Sequence, residues 1–179
     1  MSRSVLLLRA VNVGGNNRVP MARLREVLAS ETSLTGLSTF IASGNIICDD
    51  PADAAASCAT VREVISKEFG VDTPVIHRTH AQLVASEAAQ PFTDASDKLV
   101  HAMFLVGAPV GGSVEALEHR LLPGEHLALI GRDLWIEFSE AGVHSTKLTK
   151  AVLDKALGTA GTARNLRTTR TLIELTAEA

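Results

Sequence analysis

LLLRAVNVGGNNRVPM, residues Leu6–Met21, carries the chain from an apolar run through a loop of glycines, asparagines and one arginine into a proline. The apolar part belongs to Val5–Val11, which is short and β-branched at both ends and reads as a buried strand. Pro20 presets a helical φ where a missing N–H costs nothing, so a helix is expected over Pro20–Ser30, with Met21, Leu24 and Leu28 on one face. A glycine loop that opens onto a helix collects unpaired N–H donors at the positive end of the helix dipole, an arrangement that suits an anion. The spacing matches neither the phosphate loop nor the dinucleotide fingerprint.

Outward from this stretch the pattern continues in kind. Leu37–Ala42 and Asn45–Cys48 read as strands joined around Ser43–Gly44. Asp53 or Ser57 can open a helix that carries Cys58, Val61 and Ile65 and ends at Gly70. Thr73–Arg78 is a further strand, and Thr79 with Gln82 forms a capping box at a short helix. The order β-α-β-β-α-β is the ferredoxin-like split unit. Gln90–Asp97, QPFTDASD, has linker composition. The expected boundaries are therefore a first lobe over 1–89, a linker over 90–97 and a second lobe over 98–179.

The second half starts again. Leu99–Val106 is an apolar strand, and Ser113 is placed to cap a helix carrying Val114, Leu117 and Leu121. Leu127–Ile130 and Leu134–Phe138 form a hairpin around Gly131–Arg132–Asp133. Ser145 is placed to cap a helix that runs to Leu157 and ends at Gly158. Gly14–Gly15 and Gly111–Gly112 hold the same place in each half, which argues for an internal duplication. The stretch Thr159–Ala163 stands where a last strand belongs and leaves that strand open, and Leu166–Thr176 is helix-like. The expected fold class is α+β, two ferredoxin-like lobes of βαββα type.

In length, 179 residues suffice for one domain or two small lobes. Aromatic content is 3%, so the core must rest on Val, Ile, Leu and Ala. Val5–Leu8 is too short for a signal peptide and is broken by Arg9, and no segment reads as a membrane span. Cys48 and Cys58 read as reduced, buried thiols, and the chain as cytoplasmic. The charge is uneven. Residues 1–25 hold Arg3, Arg9, Arg18, Arg23 and Arg25 and no acid, while 26–143 hold 17 acids against six bases. Residues 144–170 are basic again through Lys147, Lys150, Lys155, Arg164, Arg167 and Arg170 against Asp154. Basic ends that met in the fold would draw an anion.

LLLRAVNVGG, VPMARLREVL, FIASGNII, STKLT and TARNLRT follow one another in an order that resembles the bacterial domain of unknown function 1697 family. The resemblance covers essentially the whole chain and implies an α+β fold of two ferredoxin-like lobes; it implies no activity. Ala10 stands where a glycine is common, Asn16 where a lysine is common and Leu166 where a tryptophan is common.

The candidate ligand-binding residues are Arg9, Asn12, Gly14, Gly15, Asn16, Arg18, Ser43, Asn45, Lys147, Arg164 and Asn165. Backbone N–H groups near Gly14–Arg18 would hold the anion, with Arg18 as charge partner and Asn12 or Asn16 as hydrogen-bond partners. Ser145–Lys147 and Thr162–Asn165 are read as helix starts with hydroxyl, amide and basic groups. The leading expectation is a phosphorylated or otherwise anionic small molecule, nucleotides included, held in a cleft between the lobes by Gly14–Arg18 and Arg164–Asn165. A nucleic-acid-binding module using the basic ends is one alternative, and an enzyme on an anionic substrate another. No catalytic residue is assigned: there is no G-x-S-x-G and no assignable Ser–His–Asp set. No metal and no cofactor is expected, since His77 and His80 do not share a helical face and the cysteines lack ligand spacing. Phe104, Trp135 and Phe138 read as core rather than as a base-stacking platform. The sequence leaves the oligomeric state open.

Overall fold

The fold comes from a computed structural model that describes residues 2–177. It is a mixed α+β protein with six helices and two antiparallel sheets of four strands each among the described residues. The chain separates into two compact units, Met1–Leu83 with Leu172–Ala179, and Val84–Thr171. The divisions fall inside helices rather than at Gln90–Asp97.

The first unit contains β1 (Arg3–Leu8), α1 (Met21–Glu31), β2 (Ser38–Phe40), β3 (Asn45–Asp49), α2 (Ala54–Phe69) and β4 (Val75–Thr79), in sheet order β2-β3-β1-β4. Every pairing is antiparallel, and Leu6 faces Ile46 on one side and His77 on the other. Leu6, Leu8, Ile46 and Cys48 pack with Leu24, Leu28, Val61 and Ile65 into one core. Val5, Leu7, Ile47 and Ile76 alternate with these and are also buried. With both faces covered, β1 loses the apolar–polar alternation of a half-exposed strand, which is why it reads as one apolar run. Asp53 caps α2 by accepting from the Ala56 N–H, and Gly70 ends it in the left-handed conformation. At β4 the capping box forms as expected: Thr79 Oγ1 accepts from the Gln82 N–H at 3.1 Å, and Gln82 Oε1 from the Thr79 N–H at 3.0 Å. This opens α3 (His80–Ala89).

The second unit repeats the order: β5 (Val100–Leu105), α4 (Ser113–Glu118), β6 (His126–Ile130), β7 (Asp133–Glu137), α5 (Lys150–Leu157) and β8 (Gly161–Asn165), in sheet order β6-β7-β5-β8. The chain continues into α6 (Leu166–Thr176). The strand left open by the sequence therefore exists, shifted by two residues to Gly161–Asn165. Trp135 is fully buried and donates its indole N–H to Ser86 Oγ at 3.0 Å, and Phe104 and Phe138 are buried too. The three aromatics are core.

Two helix starts differ from expectation. Gly112, in the left-handed conformation, rather than Ser113 occupies the N-cap of α4, and Ser113 is its first residue. Thr149 rather than Ser145 caps α5, accepting from the Val152 N–H. Ser145 instead donates to the Ala141 carbonyl inside the preceding loop. The shorter helix places Leu153 and Leu157 in the core of the second unit.

Candidate functional site

The loop after β1 is built by backbone economy. Arg9 is clamped at the strand end by Thr73, whose Oγ1 accepts from the Arg9 N–H at 2.9 Å and donates to its carbonyl at 2.7 Å. The Asn16 N–H then returns to the Val13 carbonyl at 3.0 Å, and the Asn12 N–H to the Asn17 carbonyl at 3.0 Å. Gly14 and Gly15 lie between with φ of 57° and 80°. Two positive φ values in succession are what a type I′ hairpin turn requires. A Cβ on either glycine would meet nothing, so the glycines serve the turn's conformation and leave the surrounding space open. Ala10 also has a positive φ, 52°, which explains why a glycine suits that place.

Asn12 is the brace of the loop. Its Nδ2 donates to the Val19 carbonyl at 2.9 Å and to the Ala42 carbonyl at 2.8 Å, and its Oδ1 accepts from the Val19 N–H at 2.8 Å. That ties the loop to the β2–β3 turn. In this turn Asn45 is fully buried and donates to the Phe40 carbonyl and to Ser43 Oγ. Gly44 lies so close to β1 that a Cβ would sit 2.7 Å from Leu8 Cβ. Ile41, beside it, is 49% exposed with φ of 48°, an uncommon conformation for a β-branched residue. The structure thus brings Arg9, Asn12, Gly14, Gly15, Asn16, Arg18, Ser43 and Asn45 into one loop cluster at one end of the first sheet. Asn12 uses its amide on the backbone, and Asn45 donates to one carbonyl and to the Ser43 hydroxyl.

Donors remain. Among the described residues, the N–H groups of Gly14, Gly15 and Arg18 have no acceptor, and Arg18 is exposed with no ion pair. The side chain of Asn16 is exposed and unbonded as well. Immediately beyond, α1 starts after Pro20 with no side-chain cap and no acid in its first turn. Its first N–H groups stay open, with the positive dipole end unopposed locally.

Lys147, Arg164 and Asn165 belong to the other unit. Lys147 is an exposed loop residue two positions before the cap of α5. Arg164 is not at an exposed helix start: it is the penultimate residue of β8, 7% exposed, and burial pushes its guanidinium down to about 10. Its Nη1 donates to Thr162 Oγ1 at 2.8 Å and to the Ala163 carbonyl at 2.9 Å. Asn165 caps α6 by accepting from the Thr168 N–H. Arg78 holds the corresponding register position in β4, is buried too, and donates to the His77 carbonyl at 2.8 Å. Each arginine precedes a capping residue, Thr79 or Asn165. The paired triplets HRT and ARN were the signal in the sequence for this role.

A second opening in the first unit, a cavity of about 500 Å³, is lined by Thr35, Asp49, Asp50, Asp53 and neighbours. Its carboxylates are engaged: Asp49 accepts from Thr35 Oγ1 and pairs with Arg3, Asp50 pairs with His77 at 2.9 Å, and Asp53 caps α2. Cys48 and Cys58 are free thiols rather than a disulfide, and burial pushes both pKa values up, away from nucleophilic thiolate. Among the described residues no His/Cys/Asp/Glu group is placed to hold a metal, and no helix is long and apolar enough to cross a membrane.

This chain is similar in structure to a conserved bacterial protein, SP0830 from Streptococcus pneumoniae, with a TM-score of 0.79 at 23% identity, over 98% of this chain and 99% of that one. At that identity the likeness speaks for the fold. No curated protein matches the sequence. The sequence model of a family described as protein of unknown function, DUF1697, matches residues 1–135, from the first strand through the glycine loop, the β2–β3 turn and on into β7, and the chain belongs to that family.

Proposed function

We propose that the Gly14–Arg18 loop, with the open first turn of α1, binds the anionic group of a small molecule, a phosphorylated metabolite or nucleotide. The observation that carries this reading is the set of unbonded donors in one loop: the N–H groups of Gly14, Gly15 and Arg18 beside an exposed, unpaired guanidinium. Charge-assisted hydrogen bonds to such donors are the strong ones. Asn12 supports the site by holding the loop in shape, and the absence of a Cβ at Gly14 and Gly15 lets an oxyanion approach the backbone. Arg164 takes no part in this site, because its guanidinium is buried and donates to Thr162 Oγ1 and the Ala163 carbonyl.

The reading is tested by calorimetric titration of the protein with inorganic phosphate, then with nucleoside phosphates and sugar phosphates. Binding is expected, and Arg18→Ala should weaken it by about 1–3 kcal/mol, the scale of one charge-assisted bond. Heat from none of these anions would refute it. Titration at rising salt separates it from binding along a nucleic-acid backbone, whose affinity falls steeply because many counterions are released.

We infer the ancestry and location of the chain from the same structure. Each lobe is ferredoxin-like and the two arose by duplication; identical strand orders and the equivalent buried Arg78 and Arg164 support this. Two free thiols support a cytoplasmic location.

A further inference from the structure

The edges of the two sheets are guarded differently. In the first unit β2 is only three residues long, and Arg25 lays its guanidinium across it to Thr39 Oγ1. Shortness and a charged side chain are ordinary protections of a sheet edge. The corresponding edge strand of the second unit, β6, has neither. Its five residues, HLALI, carry no proline and no lysine, and Leu127 to Ile130 are all partly exposed. Leu127 and Leu129 lie against the core formed by Met103, Leu117, Leu134 and Leu157, yet remain only partly buried.

The hairpin turn fixes which backbone groups look outward. Ile130 pairs with Asp133 across two residues, and of these only Gly131 has a positive φ, 59°. That is the type II′ pattern, whose closing pair is hydrogen-bonded. By alternation Ile130, Ala128 and His126 bond to β7, and the N–H and C=O of Leu127 and Leu129 face away from the sheet. Among the described residues these four groups have no partner.

We propose that β6 is the seam of a homodimer in which two copies pair β6 with β6, antiparallel, about a twofold axis at Ala128. The register is self-complementary. Leu127 of one copy stands opposite Leu129 of the other, so the four outward groups of each copy meet those of its mate in hydrogen-bonded pairs. Ala128 stands opposite itself in a pair that is not hydrogen-bonded, where strands come closest; it is the smallest side chain of the strand. The leucines then join the two copies of the core across the axis, which covers their exposed flanks. The interface is isologous and closes on itself, so β6 is used up as an edge and the contact does not propagate through it.

Light scattering after size exclusion, over a range of protein concentration, should find a dimer of the full chain. Ala128→Glu places two carboxylates at the closest approach and should weaken dimerisation roughly tenfold or more. Ala128→Cys is the second arm. Facing residues of a pair that is not hydrogen-bonded have Cα atoms about 4.5 Å apart, within disulfide reach. Glutathione disulfide should therefore convert this variant to a covalent dimer. His126→Cys should stay uncrosslinked, because its two copies lie roughly 13 Å apart along the seam. A monomer at every concentration up to the solubility limit overturns the proposal. So does a dimer in which Ala128→Cys fails to crosslink, since that dimer uses another surface.

Discussion

Replacing Asn12 by alanine tests the loop where its geometry is most constrained. The side chain makes three hydrogen bonds of 2.8–2.9 Å, two to carbonyls and one from the Val19 N–H. Each contributes about 0.5–1.5 kcal/mol net, and a donor left unsatisfied at fully buried Val19 costs about 1–3 kcal/mol more. Asn12 also has φ of 54°, where alanine is strained by about 1 kcal/mol relative to asparagine. These terms overlap, since the loop relaxes and water enters, so a loss of about 3 kcal/mol is expected. Asn12→Asp should be nearly as harmful: it keeps the Val19 N–H acceptor but turns a carboxylate toward two carbonyls. Urea unfolding reads the shift in midpoint at unchanged slope. Amide exchange at Val19 and Asn12 should accelerate, while that of β5 residues should not. A shift under about 1 kcal/mol would mean that the brace is incidental and that the loop is held by its own turn.

The glycines separate by environment. Gly44→Ala forces a Cβ to within 2.7 Å of Leu8 at φ of 83° and should cost more than about 2 kcal/mol, whereas Gly15→Ala meets open space and should cost about 1 kcal/mol; equal melting temperatures would contradict this. Arg164→Ala should lower the melting temperature, against the expectation for an exposed base, because it empties a buried site and leaves Thr162 with a lost partner; unchanged melting would refute its structural role. His101 is held below the ordinary imidazole pKa chiefly by burial, against a bond to the Lys98 carbonyl that raises it. The unfolded chain therefore binds the proton more readily, so stability should fall as pH drops through the ordinary imidazole range, and His101→Gln should flatten that slope; an identical slope in the variant would exclude His101 as its source. Thiol titration should find Cys48 unreactive in the native protein and two free groups after denaturation; fewer than two would indicate a bond.

The elements were legible where local chemistry and packing agree. Leu166–Thr176 and the Thr79–Gln82 box stand as read, because capping and periodicity point the same way. Ser145 is the cap expected, but the helix starts four residues later at Thr149, and nothing local to Ser145 marks that difference. The loop cluster around Gly14 was legible from its residue types, but its internal purpose was not. Whether an asparagine braces a backbone or faces a ligand depends on carbonyls far along the chain, here Ala42 for Asn12. Arg164 misled for a related reason: a basic residue next to a helix looks solvated until its strand is known to lie in a buried register.

The placement of the last helix bears on the order in which the polypeptide assembles. Leu172 and Thr176 are fully buried and belong with the first unit, where Thr176 Oγ1 meets His80 Nδ1 at 3.1 Å and the Leu175 carbonyl accepts from Arg3 at 3.2 Å. These contacts join the beginning of the chain to a segment that the ribosome releases only after all of Val84–Thr171 has been made. The first unit is thus completed by a segment that follows the second unit along the chain. Residues 1–89 made alone would lack Leu172 and Thr176, the buried residues that complete their unit.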